Sequence, residues 1–273
     1  MTVNAITVDL EDWYHVCGDG AQADPAGWDA YESRVTASTG RILDILDKAG
    51  AKATFFVLGY IADRNPRLIE RIHREGHELA VHGYYHRRVF EMTPAEFEAD
   101  LERSIRAVES VTGEPVLGFR APEWSVTSGT YWAFEIMAAA GLSYDSSTVP
   151  LTRMGERGLP HLPHRVRTPS GEIIEFPLTT MKCFWERLPF TGGLPMRLFP
   201  YWLIAEALRS TNAAGQPGLV YIHPWEFDRE QPRIELPLTR RFMHYFNTAS
   251  TRPKLEGLLR HFRFAPIREV LGL

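Results

Sequence analysis

Apolar positions along this chain fall into two alternating kinds of segment. Short runs rich in β-branched and aromatic residues are followed by longer stretches whose apolar residues recur at helical spacing. Residues 5–10 (AITVDL) predict a strand ending in acids, 52–59 (KATFFVLG) a buried strand closed by glycine, and 77–82 (HELAVH) the next strand. Further strands are predicted at 116–120, 142–147, 172–178 and 218–223. Between them, 36–50 carries Ile42, Leu43, Ile45 and Leu46 on one helical stripe and stops at Gly50, while 65–76 opens with Pro66 and stops at Gly76. Residues 93–113 carry the fullest helix signature, with Thr93 to cap, Pro94 to start, Glu96 at capping-box distance and Gly113 to end. Helices are also predicted at 129–141, 200–210 and 254–262.

Strands alternating with amphipathic helices from end to end predict an α/β fold with a mainly parallel sheet. The number of units suits a closed barrel of the TIM type, with an open doubly wound sheet as the alternative. No repeat, low-complexity stretch or composition break divides the chain, so 1–273 is expected to be one domain. Residues 149–171 and 183–199, rich in Pro, Gly and Arg, are expected to be excursions that wall a substrate groove.

Composition narrows the classes. With 273 residues, 44% of them hydrophobic, the chain can bury a large core. A formal charge of −4 without a dense Lys/Arg block argues against a nucleic-acid partner. Cys17 and Cys183 alone make neither a disulfide framework nor a zinc site. The opening MTVNAITVDLEDWYHV has no basic n-region and no long apolar run, so neither a secretory signal nor a membrane span is expected. The expected location is cytoplasmic, with contact at the inner face of the membrane as an extension of that expectation.

Polar residues gather at the carboxyl ends of the predicted strands: Asp9, Glu11 and Asp12, then His82 and His86, then Arg120, Asp145 and His223. That rim is where sites form in barrels and open α/β sheets alike. His82 and His86, four apart, project to one side if they share a helical turn. Two histidines and one carboxylate leave positions open on a catalytic metal, and a second carboxylate is then free to act as general base. Arg120 suits a carboxylate partner, and His223, just before Pro224, suits a general acid.

The stretches ITVDLEDW, ATFFVLG, GHELAVHGYYH, GFRAPEWS and YIHPWEFD resemble the NodB-homology polysaccharide deacetylases, carbohydrate esterase family four. TGGLPMRLFPYWL (191–203) and KLEGLLRHFRFAPIREVL near the carboxyl end resemble the branch found with exosortase and exopolysaccharide gene clusters. The resemblance implies a deformed (β/α)7 barrel and metal-dependent removal of N-acetyl groups from the amino sugars of a polysaccharide or lipid-linked glycan. It also implies Asp9 as base, His82 and His86 as metal ligands, Arg120 as the brace of the base and His223 as general acid. Asp145 stands where the family has the acid that orients this histidine, without the tryptophan usual after it. Leu10 interrupts the usual pair of adjacent acids, so Asp12 is the expected carboxylate ligand and Glu11 the alternative. The expected metal is Zn2+, with Co2+, Ni2+ and Fe2+ as alternatives. Trp13, Trp124, Trp185 and Trp225 are expected to offer stacking faces to sugar rings, and a backbone N–H near Trp124 to face the oxyanion. Two other readings share these residues: a cyclic-amide hydrolase of the allantoinase-like branch, and a glycan-binding module on an inactive scaffold.

Overall fold

A computed structural model describes residues 2–16, 24–151, 155–183 and 185–273. Cys17 and part of the 149–171 stretch lie outside the described residues. The strands are β1 (Val3–Leu10), β2 (Thr54–Val57), β3 (Glu78–Val81), β4 (Gly118–Phe119), β5 (Tyr144–Asp145), β6 (His164–Thr168), β7 (Gly171–Glu175), β8 (Thr180–Cys183), β9 (Glu186–Pro189), β10 (Leu219–Ile222) and β11 (Arg263–Ala265). The helices are α1 (Val35–Lys48), α2 (Gly59–Arg64), α3 (Pro66–Arg74), α4 (Pro94–Thr112), α5 (Trp132–Ala139), α6 (Gly193–Leu198), α7 (Tyr201–Ala213), α8 (Leu238–Tyr245), α9 (Thr251–His261) and α10 (Ile267–Leu271).

Every predicted strand and helix appears, with trimmed ends. The largest omissions lie in the two predicted excursions, where β6 and the β8–β9 hairpin form, and at α8, β11 and α10. The sheet runs β10-β1-β2-β3-β4-β5-β7 with all neighbours parallel, so the carboxyl ends of seven strands share one rim. β6 adds antiparallel to β7, and β11 pairs with β1. This is the fold class expected. Among the described residues no ladder joins β7 to β10. On that side Gly192 makes a single parallel bridge to Tyr221, and Leu219 N–H donates to Thr179 Oγ1 (2.6 Å).

The two-residue period of a strand sorts side chains between two cores. Ile6, Val8, Leu10, Phe55, Val57, Leu79, Val81, Phe119, Val220 and Ile222 belong to the layer packed against the helices. Ala5, Phe56, Ala80, Tyr144, Leu219 and Tyr221 belong to a smaller inner cluster. Burying each large side chain contributes roughly 1.5–3 kcal/mol. The inner space is tight: a Cβ on Gly118 would lie 2.0 Å from the Tyr144 ring, and one on Gly192 would lie 2.1 Å from Tyr221. α4 shows the anticipated capping box between Thr93 and Glu96 and ends on left-handed Gly113. α1 starts differently. Its N-cap, Arg34, makes no side-chain cap bond, and the acceptor comes from Asp12 at the end of β1.

Candidate metal and proton-transfer centre

Strand parity decides which rim residues meet. Ile6, Val8 and Leu10 face the helices, so Asp9 and the following Glu11 turn to the inner side. By the same alternation His82 continues the inner face of β3, Arg120 that of β4 and His223 that of β10.

The structure places Glu11, the alternative carboxylate, beside the two histidines and Asp12 away from them. Glu11 Oε1 lies 3.1 Å from His82 Nε2 and 2.9 Å from His86 Nε2, and donor atoms of these three buried residues all fall within 4.8 Å of one another. Asp12 points to the helix layer. Its carboxylate accepts from Ser33 Oγ (2.7 Å), Arg34 N–H (2.9 Å), Val35 N–H (3.1 Å) and Trp13 N–H (3.0 Å), so it is occupied in capping α1. Despite these donors, burial raises the Asp12 carboxyl above its ordinary value. His15 supports the arrangement, with Nδ1 accepting the Asp12 N–H at 3.0 Å.

The histidine pair also converges by another route than the one expected. His82 and His86 sit on a non-helical bend, with Gly83 at φ 75° and His86 at φ 55°. Glu123 (φ 52°) and Trp124 (φ 50°) are left-handed too, so among the described residues three of the four non-glycine positions with positive φ border this centre. Such conformations cost on the order of 1 kcal/mol or more each and persist where the surroundings enforce them.

A divalent cation fits this set. His82 Nδ1 lies 2.7 Å from the Arg120 carbonyl, which can only accept, so Nδ1 carries the proton. In the neutral ring Nε2 then presents a lone pair to a carboxylate oxygen, an arrangement that a cation between them satisfies. Two His and one Glu leave coordination positions open. Burial opposes charge on Glu11, but His86, His223 and the contacts from His82 and His86 more than offset it and hold its carboxyl well below the usual range.

Beside this trio, Arg120 Nη1 donates to Asp9 Oδ1 at 2.6 Å. Arg120 is fully buried: Nη1 also donates to Thr7 Oγ1, Nε donates to Ser146 O and Nη2 to Ser146 Oγ, and the guanidinium lies over the Phe56 ring. Asp9 Oδ2 lies 3.9 Å from His223 Nε2. The other ring nitrogen, Nδ1, pairs with Glu226 Oε1 at 2.7 Å. Burial lowers His223, while Glu11, Glu226 and Asp9 raise it, and the net direction is up.

Asp145 does not meet His223. It pairs in register with Glu175, on the parity of Phe119 that faces the helices. Burial first, and Glu175 second, push its carboxyl well above the ordinary range. Ser147 Oγ donates to Asp145, and Thr148 donates to Glu175 through N–H and Oγ1. The acid beside His223 is Glu226, which the sequence reading passed over. Its signal was the spacing: three residues after a strand-end histidine, across one turn opened by Pro224.

The tryptophans expected to stack on sugar rings differ in exposure. Trp13, Trp124 and Trp225 are buried. Trp13 Nε1 donates to Glu32 O, and Trp225 is sandwiched between His223 and His244 with Nε1 3.4 Å from Glu11 Oε2. Trp185 is 80% exposed, on the β8–β9 hairpin. Two clefts, of ≈ 240 Å3 beside β8 and α7 and ≈ 420 Å3 beside Arg41 and Asp228, do not include Asp9, Glu11, His82 or His86.

Residues 26–144 match the family model described as polysaccharide deacetylase, and residues 146–272 match one described as a domain of unknown function (DUF3473). A peptidoglycan deacetylase-like protein of Gibberella zeae is 34% identical over 110 residues, covering 40% of this chain and 32% of the relative. A peptidoglycan-N-acetylmuramic acid deacetylase of Bacillus subtilis is 24% identical over 165 residues, covering 53% of this chain and 61% of the relative. The chain therefore matches less than two thirds of each of these two relatives. Among solved structures, one described as a polysaccharide deacetylase from Mycobacterium smegmatis superposes with TM-score 0.65 at 23% identity, covering 100% of this chain and 90% of that one. A family 4 acetyl xylan esterase from Clostridium thermocellum, solved with cobalt, gives TM-score 0.52 at 16% identity, with 99% and 91% covered. At these identities the superpositions speak for the fold.

Proposed function

Residues 26–144 carry a polysaccharide deacetylase domain, and from that match we propose that the chain is a metal-dependent hydrolase that removes N-acetyl groups from the amino sugars of a polysaccharide or lipid-linked glycan. The observation that carries the reading is the meeting, on one rim, of a three-ligand cluster, a braced carboxylate and a histidine with its own acid. Glu11, His82 and His86 are the residues that would hold the cation. Bound there, it would supply Lewis acidity toward the water and the acetamide oxygen.

Asp9 is the general base in this reading. Arg120 fixes Oδ1, leaving Oδ2 to take the proton that the attacking water loses. His223 is the general acid. With Nδ1 held by Glu226, Nε2 faces the Asp9 side of the centre and delivers its proton to the leaving nitrogen as the C–N bond breaks. Acetate and a free amino sugar result. Trp124 N–H is already donated to Ala121 O, so the Glu123 N–H in the same turn is the candidate second donor to the oxyanion. The exopolysaccharide setting is part of this proposal and rests on the resemblance carried by residues 191–203 and the carboxyl-terminal stretch. Among the described residues no helix is long and apolar enough to cross a membrane.

The test is acetate release from N-acetylated oligosaccharides of differing sugar and length, with Zn2+ or Co2+ restored after chelation. Release that disappears with chelator and returns with metal is expected. No release from any member of the panel by metal-loaded protein, or release indifferent to chelator, overturns the reading.

A further inference from the structure

His223 is held from behind by a buried assembly. Glu226 Oε1 meets Nδ1 at 2.7 Å, Glu226 Oε2 accepts from Thr251 Oγ1 at 2.9 Å, and Arg197 Nε lies 3.4 Å from the same oxygen. The side chains of Glu226 and Arg197 are 0% and 2% exposed. Arg197 is itself fixed, donating to Gly193 O, Met243 O, His244 O and Phe246 O. Burial alone would raise the Glu226 carboxyl, but Arg197 first, then His223 and Thr251, hold it below its usual value. A buried carboxylate in this position dictates which ring nitrogen carries the inward proton, and so leaves Nε2 as the nitrogen that faces the reacting atoms. Arg197, His223, Glu226 and Thr251 all fall within 146–272, the part matched by a domain of unknown function, whereas His82, His86 and Arg120 fall within 26–144.

We infer that Glu226, clamped by Arg197 and Thr251, is the positioning residue of His223, and that the segment of unknown function is the proton-donating half of one catalytic unit. The inference rests on the deacetylase reading for the identity of the donated proton's destination. Glu226 touches no reacting atom and acts only through the imidazole. Its loss therefore reaches reactions that need a proton on the leaving group and spares those that do not. An amide needs it, because an alkylamide anion is a very poor leaving group. An activated aryl acetate, which expels a phenolate, needs it far less.

Glu226→Gln in the full metal-loaded chain should lower kcat on an N-acetylated oligosaccharide by about 100-fold, within the usual contribution of a positioned general acid. KM should change little, and the loss on p-nitrophenyl acetate should stay under about 10-fold. Glu226→Asp, which keeps the charge, should recover part of the amide rate. A second readout requires no turnover. In histidine-15N-labelled wild-type protein, the His223 ring should show a hydrogen-bonded Nδ1–H, and Glu226→Gln should move that resonance. Equal losses on amide and aryl ester, an unchanged amide rate, or a wild-type His223 without the Nδ1–H would overturn the inference. Wild-type protein that shows this Nδ1–H but releases no acetate would count against the deacetylase reading and leave the positioning of His223 standing.

Discussion

Glu11→Gln and Asp12→Asn should fail in opposite ways, although the two carboxylates are adjacent. Asp12 accepts two backbone N–H groups at the start of α1, the Trp13 N–H and the Ser33 hydroxyl. An asparagine keeps one accepting oxygen and turns an NH2 toward donors, leaving at least one buried N–H without an acceptor. That costs about 1–3 kcal/mol. For a chain of this size, about 2 kcal/mol corresponds to roughly 4–8 °C in melting temperature. Metal binding should survive, because Asp12 touches neither histidine. Glu11→Gln removes the carboxylate that lies 3.1 and 2.9 Å from the two Nε2 atoms. The metal-induced rise in melting temperature should then disappear. At a free-metal concentration of about 100 Kd, that rise is worth about 2.7 kcal/mol in the wild type. The assay is thermal unfolding of each protein after chelation and after adding back Zn2+, with metal content of the purified proteins measured in parallel. If Asp12→Asn abolishes the metal-dependent shift while Glu11→Gln keeps it, the assignment of Glu11 and the parity reasoning behind it are both wrong.

Asp9→Asn should retain full metal content yet lose about 10²–10⁴ in acetate release, because an amide cannot accept the proton from water; near-normal turnover would place the base elsewhere. Asp145 offers a pH test with a definite sign. Its native carboxyl is held above the unfolded value by burial and Glu175, so the native state keeps a proton that the unfolded state releases. Unfolding free energy should therefore fall as pH rises from about 4 upward, by at most about 1.4 kcal/mol per pH unit. Asp145→Asn should flatten that dependence without lowering kcat, and a large loss of kcat would return Asp145 to the catalytic machinery. Gly192→Ala should destabilise the protein, because its Cβ would meet the Tyr221 ring at 2.1 Å. Unchanged urea unfolding would show that the Tyr221 side can give way.

Much of this was legible from alternation. The succession of elements followed from period and punctuation, because each strand is short, each helix amphipathic, and stops such as Gly113 are left-handed. The rim residues Asp9, His82, Arg120 and His223 were legible because strand ends in parallel sheets face the same way. The choice between Glu11 and Asp12 was also present in the sequence, unused: Ile6, Val8 and Leu10 mark the helix-facing side of β1, so Glu11 shares the parity of Asp9. The same rule applied to Tyr144 and Phe119 would have turned Asp145 away from the centre. What alternation could not supply were contacts between distant segments. Arg197 reaching Glu226, or Asp12 capping a helix across Ser33, depends on how loops return, and no local period encodes that. The convergence of His82 and His86 likewise depends on left-handed backbone at Gly83 and His86, not on a helical turn.

β1 carries Asp9 and leads into Glu11, and it is hydrogen-bonded to β10 on one side and to β2 and β11 on the other. Its ladder with β10 and the contact of Trp225 with Glu11 close a sequence separation of 214 residues. Such non-local pairing is slow to form, because the chain entropy of closing the loop is lost before the contact returns anything. Until β10 docks, β1 shows an unpaired parallel edge lined by Ala5, Ile6, Thr7 and Val8, a template on which another chain could pair. A nascent or truncated chain lacking residues 219–222 therefore holds His82, His86, Asp9 and Glu11, yet exposes the strand that presents the two acids to aggregation.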